Sequence, residues 1–316
     1  MVWKSTDNGE TWTHNIIMDF PVDKYDGAAG TIIDMDGDAV ADTLYASDGT
    51  GDVLIDNTGK VHVSFALTRI LDEDALGNNY TYWPYTDAVL YWNSDMADGE
   101  FTGVATPSWI EPAVDAAVEV IGYSPDMEGD EVYYEYAEVA AGAWPFGEAI
   151  FKGISTYPNM TVDTDGNVYL FYSSVIEGDN YVKTDATPNA QNFKHIVMKY
   201  MTASTGVWSD FYMVTSVDGT NAESLWPMCV PISTDGKIHL MFQWDGEPGL
   251  NLQGDADAMT ENLIIYKAIP SMFVGINEVE QLNVNIYPNP TTGLVNISNV
   301  NGAQISVYNL IGQAVY

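Results

Sequence analysis

The chain has 316 residues, 46% of them hydrophobic and 12% aromatic, which is material for a full core and not for a disordered acidic tail. Its 45 acids against 10 bases give a formal charge of −35, a field that repels nucleic acid and anionic lipid and makes both poor partners. No apolar run approaches the roughly 18 residues a membrane-spanning helix needs, and a lone Cys229 within an apolar run excludes an intramolecular disulfide and reads as a buried thiol.

In chain order, Met1 opens directly into a strand-like pattern with no signal peptide, so the chain is expected to start inside a larger protein that supplies further upstream segments. The segment Trp3 to Trp12 holds Ser5, Asp7, Gly9 and Trp12 in the spacing Ser-x-Asp-x-Gly-x-x-Trp. Ser5 and Asp7 can hydrogen-bond nearby backbone, Gly9 permits a left-handed φ, and Trp12 is expected to bury its ring beneath the hairpin. This spacing resembles the Asp-box (BNR repeat) of sialidase-like β-propellers. The resemblance implies a structural hairpin away from a central pocket, not a catalytic residue.

Asp34, Asp36, Asp38 and Asp42 follow at alternating positions, and hard oxygen ligands so spaced resemble the calcium loops of repeat and propeller proteins. Ala39 stands where such loops prefer Gly, and a solvated acidic hairpin is the alternative.

Three segments then share one design: Ile55 to Phe65, Val162 to Tyr172 and Ile232 to Phe242. Each sets a polar turn and a glycine (Gly59, Gly166, Gly236) between β-rich runs, and Val61, Val63 and Phe65 alternate with His62 and Ser64 at the period of a half-buried strand. Two copies are preceded by Ser155-Thr156-Tyr157-Pro158 and Ser224-Leu225-Trp226-Pro227, whose prolines predict the first residues of a strand. The runs from Val89, Val197 and Leu263 form a second recurring unit. Strand–hairpin–strand plus strand–turn–strand makes a four-stranded blade, and the intervals predict an incomplete β-propeller of about three to four blades over residues 1–274. Residues 112–144 read as an insertion or divergent blade.

The aromatic cluster that includes Tyr82, Trp83, Tyr85 and Trp92 would suit stacking on sugar faces if exposed, and would serve a core if not. His62 and His239, at equivalent repeat positions, read as strand residues with a polar tip. Sialidase chemistry is disfavoured, because gripping a substrate carboxylate takes a cluster of arginines and Arg69 is the sole arginine. Asp87, Glu111, Glu148 and Asp245 are among too many acids for any hydrolytic pair to be singled out. Nucleophile elbows, phosphate loops and zinc helices are absent from the sequence.

After a linker over 275–284, Tyr287, Pro288, Asn289, Pro290 and Gly293 precede the alternating strand Ala303 to Asn309. This stretch resembles the start of the type A C-terminal sorting domain of the type IX secretion system. The resemblance implies a truncated immunoglobulin-like β-sandwich at 285–316, recognition by the secretion machinery, and a secreted or outer-surface location. The expected fold class is therefore all-β. The expected role is a glycan- or protein-binding adhesion module, the alternative being a secreted glycoside hydrolase whose catalytic residues lie partly outside this sequence.

Overall fold

The structure is a computed structural model and describes residues 1–18, 44–71, 81–83, 86–98, 119–125, 153–176, 182–183, 191–215, 222–246, 261–271, 285–287 and 296–298. Every regular element among them is a β-strand. The chain divides into two compact units, Met1–Ser271 and Met272–Tyr316.

In the first unit, β1 (Val2–Lys4) and β2 (Thr13–Asn15) form a hairpin. A larger antiparallel sheet runs β3 (Leu44–Ile55), β4 (Val61–Leu71), β6 (Val89–Asn93), β7 (Glu119–Gly122), with β5 (Thr81–Trp83) paired to the end of β4. A third runs β8 (Ser155–Val162), β9 (Val168–Ser174), β12 (His195–Met201), β13 (Tyr212–Met213), and a small ribbon joins β10 (Val182–Lys183) to β11 (Gln191–Asn192). The last runs β14 (Glu223–Cys229), β15 (Lys237–Asp245), β16 (Leu263–Pro270). In the second unit, β17 (Asn285–Tyr287) pairs antiparallel with β18 (Asn296–Ser298). Glu119–Gly122, within the stretch expected to be an insertion or divergent blade, supplies the outer strand of the β3 sheet.

The first two glycine hairpins close in the same way. Asp56 Oδ1 accepts from the amides of Thr58 (2.8 Å) and Lys60 (2.9 Å), and Asp163 Oδ1 accepts from those of Asp165 and Asn167 (both 2.9 Å). Gly59 and Gly166 take φ of 85° and 84°, which a residue bearing Cβ adopts only at a cost. The third hairpin departs from this pattern. Ser233 replaces the aspartate, and Pro231 has no N–H to continue the ladder into β15. The Pro231 carbonyl instead accepts from Val162 N (3.1 Å), and Ser233 N donates to Val162 O (2.8 Å) in the neighbouring sheet.

Pro158 and Pro227 lie inside β8 and β14, not at their starts as expected. Both strands are the outermost of their sheets and bulge there, so the absent N–H breaks no ladder bond.

The sheets stack face to face. In β6, Val89 and Tyr91 pack toward Met160, Leu170 and Val197 of the β8 sheet. The alternate residues Leu90 and Trp92 pack toward Ile17, Tyr45 and Val63 on the hairpin side. The same alternation in β9 sends Leu170 and Tyr172 to one side and Tyr169 and Phe171 to Ile238 and Leu240 of the β14 sheet. Both faces of each middle sheet are thus apolar and covered. Leu170→Ala should cost about 2–5 kcal/mol in urea unfolding, whereas Val53→Ala, at an exposed position, should stay within about 0.5 kcal/mol. Equal losses would contradict this layering.

Candidate functional site

The first strands of three successive sheets, β3, β8 and β14, lie side by side and carry bulges at matching heights, between Ser47 and Gly51, Thr156 and Asn159, and Leu225 and Met228. Each bulge holds one residue in the left-handed region: Gly49 (φ 83°), Tyr157 (54°) and Trp226 (53°). For glycine this is ordinary. For an aromatic residue directly before proline it is strained twice over, because the pyrrolidine ring already biases the preceding residue toward extended backbone. The Tyr157 and Trp226 rings meet edge to face with centroids 5.7 Å apart, and both residues are half-buried.

Polar side chains stitch these strands across the sheet boundaries. Thr50 Oγ1 donates to Asp48 Oδ1 (2.6 Å) and accepts from Tyr157 N (3.2 Å), while Thr156 Oγ1 donates to Asp48 Oδ2 (2.5 Å). Asp52 Oδ2 accepts from Met160 N (2.7 Å) and Asn159 Nδ2 (3.1 Å), and Asn159 Oδ1 accepts from Cys229 N (2.6 Å). Backbone amides on these edge strands, Tyr157 within its bulge and Met160 and Cys229 beyond theirs, thus find side-chain partners on the neighbouring sheet. Burial raises the Asp52 carboxyl above its ordinary range against the pull of the Met160 and Val53 amides. A cleft of ≈ 350 Å³ reaches the first bulge at Gly49 and Thr50, with Met1, Met18, Val53 and Phe65 among its walls. These features make a row of two aromatic rings and hydroxyls, with an apolar cleft at one end.

A second group of ionisable side chains lies buried where β6, β12 and β14 begin. Asp87 accepts from Ser124 N (2.7 Å). Lys194 Nζ donates to Gly153 O (3.0 Å), and Glu223 Oε2 accepts from Lys194 N (2.6 Å). Burial pushes the Asp87 carboxyl up to about 6, against the Ser155 and Ser124 hydrogen bonds and the nearby Lys194 charge. Arg69, also buried, donates from Nε to Thr86 Oγ1 (3.1 Å).

The residues singled out in the sequence fall in several places. Ser5 Oγ donates to Asp7 Oδ1 (2.8 Å) and accepts from Gly9 N (2.7 Å), and Asp7 Oδ1 accepts from Thr11 N (2.9 Å). Gly9 has φ of 90°. Trp12 donates to Gly9 O (3.1 Å), but its ring is exposed, contrary to the burial expected, because its face of the hairpin is uncovered. Trp92 is likewise corrected. It is 1% exposed in the core and donates to Ala97 O, so it offers no ring to a ligand. Tyr82 and Trp83 lie in β5. Tyr287 lies in β17. Asp34, Asp36, Asp38, Asp42, Tyr85, Pro288, Asn289, Pro290 and Gly293 fall outside the described residues. Among the described residues no three His, Cys, Asp or Glu side chains gather as metal ligands.

His62 bonds the Tyr91 hydroxyl (2.7 Å) and Asp56 (3.3 Å), and burial lowers its pKa. His239 bonds Tyr266 (2.6 Å) and Asp235 (3.1 Å) in the same way. Cys229 is partly buried, and desolvation pushes its thiol far up, so it stays protonated. Tyr157 and Trp226 were not singled out as site residues. Their signal was the repeated Ser-x-aromatic-Pro, which sequence alone ties to strands and not to bulges.

Residues 285–316 match the secretion system C-terminal sorting domain. The protein is exported through the type IX secretion system. Its destination is the cell surface or the extracellular space, and its C-terminal segment engages the export machinery. No curated protein matches the chain. Two solved structures are similar to it. One is the polysaccharide lyase Uly1, at 17% identity and a TM-score of 0.26, over 64% of this chain and 36% of that one. The other is the α-L-arabinofuranosidase PaAbf62A from Podospora anserina in complex with cellotriose, at 10% identity and a TM-score of 0.25, over 75% and 93%. The chain thus spans about a third of the lyase's length, and neither likeness bears on its chemistry.

Deleting everything after Glu280 should abolish export in the native host, and normal surface delivery of that truncation, read by immunoblot of cell fractions, would contradict the assignment. For Asp87 the folded carboxyl binds its proton more tightly than the unfolded one. The stability this group contributes is therefore fully present below the ordinary value of 3.8 and is lost as pH rises through about 6. Asp87→Asn should flatten that fall in urea titrations, and an unchanged slope would place the effect elsewhere.

Proposed function

We propose that the exported protein binds glycan at the row of bulges on β3, β8 and β14. The observation that carries this is the Tyr157–Trp226 pair: two bulky residues, each before proline, both held left-handed and brought ring to ring from different sheets. Such backbone costs about 1–3 kcal/mol per residue and persists at ligand sites where the surrounding structure enforces it. Aromatic faces stack on the apolar faces of sugars, and the hydroxyls of Thr50 and Thr156 are the kind of polar group that orients them.

In this reading residues 1–274 form part of a sialidase-like β-propeller. Its blades are the sheets that begin with β3, β8 and β14, and its opening hairpin is an Asp-box built on Ser5, Asp7, Gly9 and Trp12. Residues 275–284 are a linker, and 285–316 open an immunoglobulin-like sandwich. The run Asp34 to Asp42 is proposed as a calcium loop, and absence of both calorimetric heat and thermal shift with Ca²⁺ would remove it.

A second reading is a secreted glycoside hydrolase whose catalytic residues lie partly outside this sequence. Turnover of fluorogenic glycosides by the whole protein would decide for that reading over binding alone.

Trp226→Gly should lower affinity for a glycan identified on a polysaccharide array at least about tenfold. Its stability should shift by less than about 1 kcal/mol, because glycine relieves the strain that the lost ring contact offsets. Failure of the native protein to bind any polysaccharide on the array would defeat the proposal.

A further inference from the structure

Three equivalent positions on the first strands set how much of a glycan the row of bulges can hold. The chain reads Ser47-Asp48-Gly49, Ser155-Thr156-Tyr157 and Ser224-Leu225-Trp226, and the last residue of each set is the one held left-handed. Two of these positions carry a ring. Gly49 carries none, so the aromatic surface that the repeat supplies on β8 and β14 is not continued on β3.

The two rings do not make a flat platform. Their planes stand at 68° with centroids 5.7 Å apart, so the edge of one meets the face of the other. Consecutive sugars of an extended chain present their apolar faces along one line, and rings that bind a run of them have to lie nearly flat beneath it. A crossed pair instead gives one sugar a face to stack on and stands the second ring as a wall at its side, where a following sugar has no room. The corner is also rigid. Buried Thr156 and Pro158 flank Tyr157, buried Leu225 and Pro227 flank Trp226, and Thr50 Oγ1 accepts from Tyr157 N at 3.2 Å. Rings fixed in this way lose little freedom when a ligand arrives, and they do not swing into one plane to follow a longer chain.

Charge narrows the ligand further. Among the described residues the charged side chains bonded into the row, Asp48 and Asp52, are both carboxylates. The cations of the buried cluster, Arg69 and Lys194, donate to Thr86 Oγ1 and Gly153 O. A sugar carboxylate or sulfate placed at the row would meet like charge inside the field of a chain at −35. We propose that the corner between Tyr157 and Trp226 receives a single uncharged sugar residue at the end of a glycan chain. This rests on the glycan-binding reading of the row and names what that row selects.

The test is isothermal titration calorimetry of the full native chain with gluco-, xylo-, manno- and galacto-oligosaccharides, each from the disaccharide to the hexasaccharide, and with oligogalacturonate of the same lengths. An uncharged series should bind with an affinity that changes by less than about threefold from the shortest member to the longest. Oligogalacturonate should bind at least about tenfold more weakly, and Trp226→Gly should lower the affinity alike at every length. A steeper rise with length overturns the proposal, since it shows several sugars held in a run. Oligogalacturonate binding as tightly as the uncharged series overturns it, and so does a Trp226→Gly loss confined to the longer members. Capture of a polysaccharide on the array with none of these oligosaccharides bound overturns it as well. Each of those results leaves glycan binding itself in place, whereas a native chain that binds no polysaccharide at all removes both readings together.

Discussion

Sheets that are apolar on both faces have no stable existence alone in water, and every residue of β6 and of β9 is buried. Strands of this kind must be covered twice, so the molecule has to be a stack, with the hairpin, the β3 sheet, the β8 sheet and the β14 sheet following one another. This requirement organises what lies at the sheet edges as well as what lies between the layers. The strands that begin each sheet are brought side by side, and their unladdered backbone has to be satisfied by the neighbouring sheet.

Asp52, Asn159 and Asp48 meet that need by reaching from one first strand to the next, and Pro231 meets it with its carbonyl. The bulges there follow from the same geometry. An edge strand tolerates an extra residue and a proline because nothing pairs beyond it, and the extra residue redirects the side chains beside it. Tyr157 and Trp226 owe their left-handed backbone and their mutual contact to this arrangement. Binding at this row belongs to the propeller reading of the stack and is a separate matter from export, which rests on the sorting domain matched over residues 285–316.

Much of the fold was legible in the chain. The glycine turns at Gly59 and Gly166 appear as hairpins with the expected φ, and the runs from Val89, Val197 and Leu263 are the third strands of their sheets. The expectations for the prolines and for two tryptophans failed for one shared reason: each concerned what lies on the far side of a strand. Trp12 and Trp92 are both tryptophans in strand-rich segments, yet one ring is uncovered and the other is sealed in the core.

The amino-acid order by itself determined the local events: where the chain reverses, which residues alternate, and that the C-terminal motif directs export. These depend on backbone dihedral preference and on a period of two, both settled within a few residues. Only the tertiary structure decided which faces are covered, that Tyr157 and Trp226 meet, and that Trp92 is sealed in the core. Those outcomes rest on contacts between segments tens of residues apart, and burial, unlike a turn, is a property of the neighbour that arrives.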